Sequence, residues 1–86
     1  MIIHFSHDFD RQFESRLTHK EKIKAIDTIE LFIDSPFHKD LRNHELNDKW
    51  VGYRSISIGG DFRLHFKVLG KNVYFVAVGT HKQIYK

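Results

Sequence analysis

The chain has no cysteine, which excludes disulfides and thiolate metal sites. It has one proline and no Gly/Ser-rich or low-complexity tract, so nothing marks a linker, and residues 1–86 read as a single domain. Hydrophobic runs are short. None approaches the roughly 20 apolar residues that cross a bilayer, and MIIHFSHDFD lacks the basic start and apolar stretch of a secretory signal. The expectation is a cytoplasmic protein with no membrane partner. Acidic residues are scarce at one end: Asp61 stands alone against six Lys/Arg in residues 50–86, net +5, while residues 1–49 carry net −2. That asymmetry favours a polyanionic partner, nucleic acid first, with a merely solvated basic surface as the plain alternative.

What the chain does have is aromatic and β-branched residues in two kinds of rhythm. Ile2 to Phe5 predicts a short strand, and Ser6 can cap a helix carrying Phe9, Phe13 and Leu17 on one face. Thr18-His19-Lys20-Glu21 fits a capping box, followed by Ile23, Ile26, Ile29, Phe32 and Ile33 at helical spacing. Pro36 ends that second helix. After a polar loop, Phe37 to Lys49, three strand-like runs follow: Trp50 to Ile58, Asp61 to Val68 and Asn72 to Val78, joined at Gly59-Gly60 and Gly70-Lys71. The predicted class is α+β, a short strand and a two-helix hairpin packed on one face of an antiparallel sheet.

Parity selects which residues share the other face. A two-residue turn at Gly59-Gly60 would set Ile56 opposite Arg63 on the charged side of the second run. An odd loop of Ile58, Gly59 and Gly60 sets Ser57 opposite Asp61, Ser55 opposite Arg63 and Tyr53 opposite His65. One uncovered face then displays Tyr53, Ser55, Ser57, Asp61, Arg63 and His65, with Lys67 continuing its charged row. Arg54 turns inward, where it needs an acidic partner such as Glu30 or Asp34, or a bulge that brings it out. The third strand exits near Asp61, so GTHKQIYK can fold over this face with His81 and Tyr85 one helical turn apart.

Asp, Arg, histidines and Tyr without a metal suit RNA cleavage by the RNA's own 2′-hydroxyl. That chemistry needs a base, a cation for the phosphorane charge, an acid for the leaving 5′-oxygen and an aromatic to stack an unpaired base. Arg63 offers a bidentate clamp and histidine titrates nearest neutrality. Each residue also has an ordinary explanation: Asp61 as a turn residue, Tyr85 as a latch for the terminus, and His4, His7, His19 and His38 as solvated side chains. His4-x-x-His7 with Asp8 and Asp10 straddles a strand end and a helix start, a poor frame for a metal.

His44-Glu45-Leu46, Trp50-Val51-Gly52-Tyr53-Arg54, Gly60-Asp61-Phe62-Arg63-Leu64 and Gly79-Thr80-His81 through Tyr85 together resemble the YafQ branch of the RelE-like toxins of bacterial type II toxin-antitoxin systems. The resemblance implies a ribosome-dependent mRNA endoribonuclease needing no cofactor or metal. Its implied partners are a cognate antitoxin, the ribosome and mRNA, with operator DNA reached only through the antitoxin complex. It also implies His44, Asp61, Arg63, His81 and Tyr85 as catalytic residues, His81 as general acid and Tyr85 as the closing aromatic. Tyr53, Arg54, Ser57, His65, Lys67 and Lys82 are the expected substrate contacts. YafQ-type sequences can carry a second histidine where this chain has Ser57, and an apolar residue where it has Arg63. Two other readings share the fold: a catalytically weakened homologue serving as an antitoxin-bound co-repressor, favoured by Ser57, and a ParE-like gyrase inhibitor.

Overall fold

Both helices begin where a side chain can satisfy their first free amides. In the computed structural model, which describes residues 1–85, β1 (Ile2–Phe5) leads into Ser6, whose hydroxyl accepts from the Phe9 amide at 3.0 Å and opens α1 (His7–Arg16). Thr18 and Glu21 close a reciprocal capping box, at 3.2 and 2.8 Å, and start α2 (His19–Asp34). α2 stops just before Pro36, as expected, its last turn closed by the Ser35 amide donating to the Leu31 carbonyl.

The buried row of α2 is Ala25, Ile29 and Phe32. This is narrower than the predicted stripe: Ile23, Ile26 and Ile33 are about half exposed. At 3.6 residues per turn Ile26 and Ile33 lie roughly a quarter turn from the buried row and Ile23 nearly opposite it, so none of the three enters the sheet contact.

The rest of the chain forms β2 (His44–Glu45), β3 (Arg54–Gly59), β4 (Phe62–Leu69), β5 (Asn72–Thr80) and a one-turn helix α3 (His81–Ile84), with short 3-10 turns at Lys39–Leu41 and Asp48–Trp50. Sheet order is β1-β5-β4-β3-β2. β3, β4 and β5 make the expected antiparallel meander, while β1 pairs in parallel with β5, Ile3 opposite Val73 and Phe5 opposite Phe75. The sheet is therefore mixed, because the helices carry the chain across the sheet and it returns from the opposite edge.

The core lies between this sheet and the helices. Phe32, Phe66 and Phe75 form an aromatic triangle with centroids 4.8 to 5.7 Å apart, flanked by Ile56, Leu64 and Val78, all fully buried.

The predicted faces hold, but the register moves by two residues. Ser57 pairs with Arg63 and Ser55 with His65, where Asp61 and Arg63 were expected opposite them. The turn is formed by Gly60 and Asp61 between paired Gly59 and Phe62, and Ile58 is absorbed as a bulge. Gly60 adopts the left-handed conformation, φ 57°, that glycine accepts freely. The predicted strand start at Trp50 is also corrected: residues 48–50 form a 3-10 turn, the Tyr53 amide donates to the Trp50 carbonyl, and pairing begins at Arg54.

Phe32→Ala should cost about 3–5 kcal/mol, because it removes one corner of the buried triangle. Urea unfolding is the check, and a loss below about 1 kcal/mol would contradict this packing.

Candidate active site

The face turned away from the helices is built by strand parity. One row runs His44 on β2, Ser55 on β3, His65 on β4 and Ala77 on β5; the next runs Ser57, Arg63 and Gly79. A groove of about 140 Å³ opens here, lined by Arg42, His44, Ser55, Ser57, Gly60 and Arg63. Arg42 takes a left-handed backbone, φ 52°, and brings its carbonyl to 2.7 Å from His44 Nδ1. A carbonyl only accepts, so Nδ1 carries the proton and Nε2 of the neutral ring keeps its lone pair. His44 is exposed and is thus set up as a proton acceptor.

The terminal segment roofs the other half of the face. Thr80 and Gln83 form a second capping box, at 3.2 and 2.9 Å, which turns the chain out of β5 into α3. At Gly79 an added Cβ would stand 2.7 Å from Gln83 Oε1 and 3.0 Å from Arg16 Nη1, so only glycine fits beneath this turn as it stands. His81 and Tyr85 stack at 4.4 Å, the predicted arrangement. Tyr85 then meets His65 edge-on at 5.6 Å, and Trp50 meets the same imidazole at 4.6 Å. Lys49 lies over the Tyr85 ring at 6.0 Å and Lys67 over Tyr53 at 5.3 Å, so bases and rings alternate along this rim.

Two predicted substrate contacts are corrected. His65 is 0% exposed: the tail and Trp50 cover it, so it does not face solvent. Neither ring nitrogen has a hydrogen-bond partner among the described residues. Burial, then Arg63, His44 and His81, lowers its pKa from 6.5 to about 4, and the ring is neutral at physiological pH. Arg54 shares the helix-side parity of Ile56. Its Nε donates to Asn43 Oδ1 at 2.8 Å, Nη1 lies 3.4 Å from Glu45, and the guanidinium sits over Phe37. The partner expected from α2 thus comes from the loop.

Asp61, expected opposite Ser57 on the polar face, is also corrected: it lies in the turn after Gly60. Arg63, 29% exposed, holds Asp61 at 3.6 Å; Asp61 is 63% exposed and borders the neighbouring pocket with Glu21 and Lys24, outside the His44 groove. Ser57 accepts from the Gly59 amide at 3.2 Å while lining the groove. Lys82 projects from α3 as an exposed cation. Sequence reasoning did not single out Arg42, Lys49 or the lid role of Trp50. The only hint was a lone Trp between a polar loop and a Gly-Tyr turn. His4, part of the weak metal pattern, stacks on Tyr74 and bonds Asn72 instead. Among the described residues no three His, Asp or Glu side chains converge as metal ligands, and no helix is long and apolar enough to cross a membrane.

Two helices on one face of a mixed sheet, with a cationic histidine-bearing groove on the other, are the architecture of solved bacterial toxin structures. YafQ from E. coli strain BL21(DE3) superposes with a TM-score of 0.82 at 25% identity, covering 98% of this chain and 97% of that one. The toxin of the E. coli DinJ-YafQ complex gives 0.73 at 25% identity, with 98% and 97% coverage. A YoeB/ParE toxin from Agrobacterium tumefaciens gives 0.78 at 20% identity, covering 94% and 99%. The chain belongs to the YafQ family of bacterial toxins of type II toxin-antitoxin systems, whose sequence model matches residues 1–86. No curated protein matches the sequence.

The buried imidazole makes stability pH-dependent. Below pH 6.5 the unfolded chain gains a proton at His65 that the folded chain refuses until about pH 4. Stability from this residue is therefore complete above pH 6.5 and falls across that window, by about 3 kcal/mol in all. His65→Phe should lose less stability than wild type between pH 7 and pH 4.5 in urea melts. Parallel losses in the two proteins would contradict a buried neutral imidazole.

Proposed function

We propose that the chain is a ribosome-dependent mRNA endoribonuclease that cleaves by attack of the 2′-hydroxyl on the adjacent phosphorus. The observation that carries this reading is the gathering of His44, Arg63 and His81 about the buried His65, with Tyr85 stacked on His81 and a cationic groove beside them. His44 Nε2, fixed as the lone-pair nitrogen by the bond from Nδ1 to the Arg42 carbonyl, takes the 2′-hydroxyl proton. The new oxygen–phosphorus bond forms as the bond to the 5′-oxygen breaks. His81 donates a proton to that oxygen, leaving a 2′,3′-cyclic phosphate and a 5′-hydroxyl. No metal or cofactor is needed for these transfers.

Charge develops on the non-bridging oxygens during the step. Arg63, held by Asp61, and Arg42 across the groove stand where they stabilise it. Ser57 adds a hydroxyl donor in the same groove. Tyr53 offers a stacking surface for an unpaired base, Tyr85, already stacked on His81 with Lys49 over its ring, closes the site, and Lys82 supplies a phosphate contact. The E. coli relative is complexed with DinJ. By that likeness an antitoxin is the partner that silences this chain, and operator DNA is reached only through the pair.

Single-turnover cleavage of mRNA on purified ribosomes tests the assignment. His44→Ala and His81→Ala should each slow cleavage by a factor of about 10² to 10⁴ while remaining folded, and His81→Ala should abolish growth arrest on expression. Arg63→Ala should reduce the rate by roughly 10² or more through lost charge stabilisation. Undiminished cleavage in both histidine variants would remove this mechanism; DNA damage on expression without mRNA cleavage would point to gyrase instead.

A further inference from the structure

His65 is the one imidazole on the functional face that the proposed reaction leaves without a task. It is fully buried, makes no hydrogen bond among the described residues, and touches two rings edge-on: Trp50 from the loop and Tyr85 from the chain's end. Tyr85 in turn stacks on His81. The helix between them is a single turn, too short to be stable by itself, so its position depends on what its ends hold. One end is the Thr80–Gln83 box, and Ile84 is buried along its length. The other end is Tyr85 against His65.

We infer that His65 is the positioning residue of this site, clamping the terminal helix through Tyr85 and so setting where the His81 imidazole stands. A neutral ring fits between Trp50 and Tyr85. A charged one meets Arg63 on its own strand, His44 on β2 and His81 on α3, while Ala77 opposite on β5 offers no acceptor. Lys49, over the far side of Tyr85, adds positive charge from the loop. The clamp therefore holds in the neutral state and is released by a proton, which a purely space-filling residue would not do.

The kinetic part of this inference rests on the nuclease reading; the structural part does not. Hydrogen exchange of the full chain at pH 7 reads the clamp directly through the Tyr85 amide, which donates to the His81 carbonyl at 2.9 Å. In His65→Ala that amide should lose about tenfold or more in protection while β4 and β5 amides keep theirs. In His65→Phe it should stay protected. In wild type, acidification from pH 7 to pH 4.5 should lower protection in α3 before the sheet, and His65→Phe should remove this step.

In the ribosome assay His65→Ala should lower the single-turnover rate by about 10 to 10² with half-saturation unchanged, since small misplacement of a reacting group is enough. His65→Phe should restore it at pH 7. Unaltered Tyr85 protection in His65→Ala would overturn the inference, as would equal rate losses in the Ala and Phe variants. If His65→Ala fails to fold, the wild-type acid titration decides: uniform loss across sheet and helix rejects the clamp. Helix release in a protein that cleaves nothing, wild type included, would reject the nuclease reading and leave the clamp standing.

Discussion

Ser55 and Ser57, and His44 paired beside Ser55, share a face with Arg63 and His65 because of one bulge. Side chains alternate faces along a strand, so the extra residue Ile58 decides whether Ser55 and Ser57 join Arg63 and His65 or face the helices. With Ile58 absorbed, Ile56 and Leu64 pair over the core and the polar residues pair over the groove. A second irregularity, between His65 and Phe66, does the same for β5, placing Ala77 beside His65 and Phe75 in the aromatic triangle. α1 supports that bend from behind. Gln12 accepts from the Val78 amide and Arg16 donates to the Val78 carbonyl, each at 3.0 Å, so the strand end feeding α3 is anchored.

This explains what was legible in the sequence and what was not. Face membership was legible, because alternation in FRLHFKV and the cost of setting Ile56 against Arg63 leave one acceptable parity. So were both helix starts and the pairing of His81 with Tyr85, which depend on contacts three or four residues apart. Register was not, since slides of two residues keep the same faces and only the glycine conformations at the turn choose between them. The parallel pairing of β1 depends on where a distant strand ends. Burial of His65 was illegible for a related reason: its cover comes from Trp50 and Tyr85, fifteen and twenty residues away, and alternation alone marks its face as open. Arg54 was rightly turned inward, but its partners, Asn43 and Glu45, sit just before and on the two-residue strand β2, whose position no periodicity encodes.

The electrostatics follow from the same assembly. Residues 50–86 carry the positive excess, and the loop adds Arg42 and Lys49 to the face they build. The Asp61 and Glu45 carboxylates are exposed and already engaged, Asp61 with Arg63 and Glu45 with Arg54. Exposed pairs of this kind are worth little, so they orient the guanidiniums without cancelling the local field. A polyanion approaching the groove therefore meets fixed cations at short range and a favourable field at longer range, both weakened by salt.

Ser57 lines the groove, and its surroundings show what a serine does there structurally. Its oxygen accepts from the Gly59 amide, so it ties down the bulge on which the faces depend. With that acceptor engaged, the hydroxyl hydrogen remains to be donated into the groove. A hydroxyl used in this way stabilises negative charge but cannot take a proton at neutral pH. In the proposed reaction deprotonation falls to His44, whose ring is oriented by its bond to the Arg42 carbonyl. Arg63, two positions into the facing strand, adds a permanent charge beside it. In the proposed reaction the groove therefore offers one imidazole base and a fixed cation beside it, so that electrostatic stabilisation carries a larger share of the work.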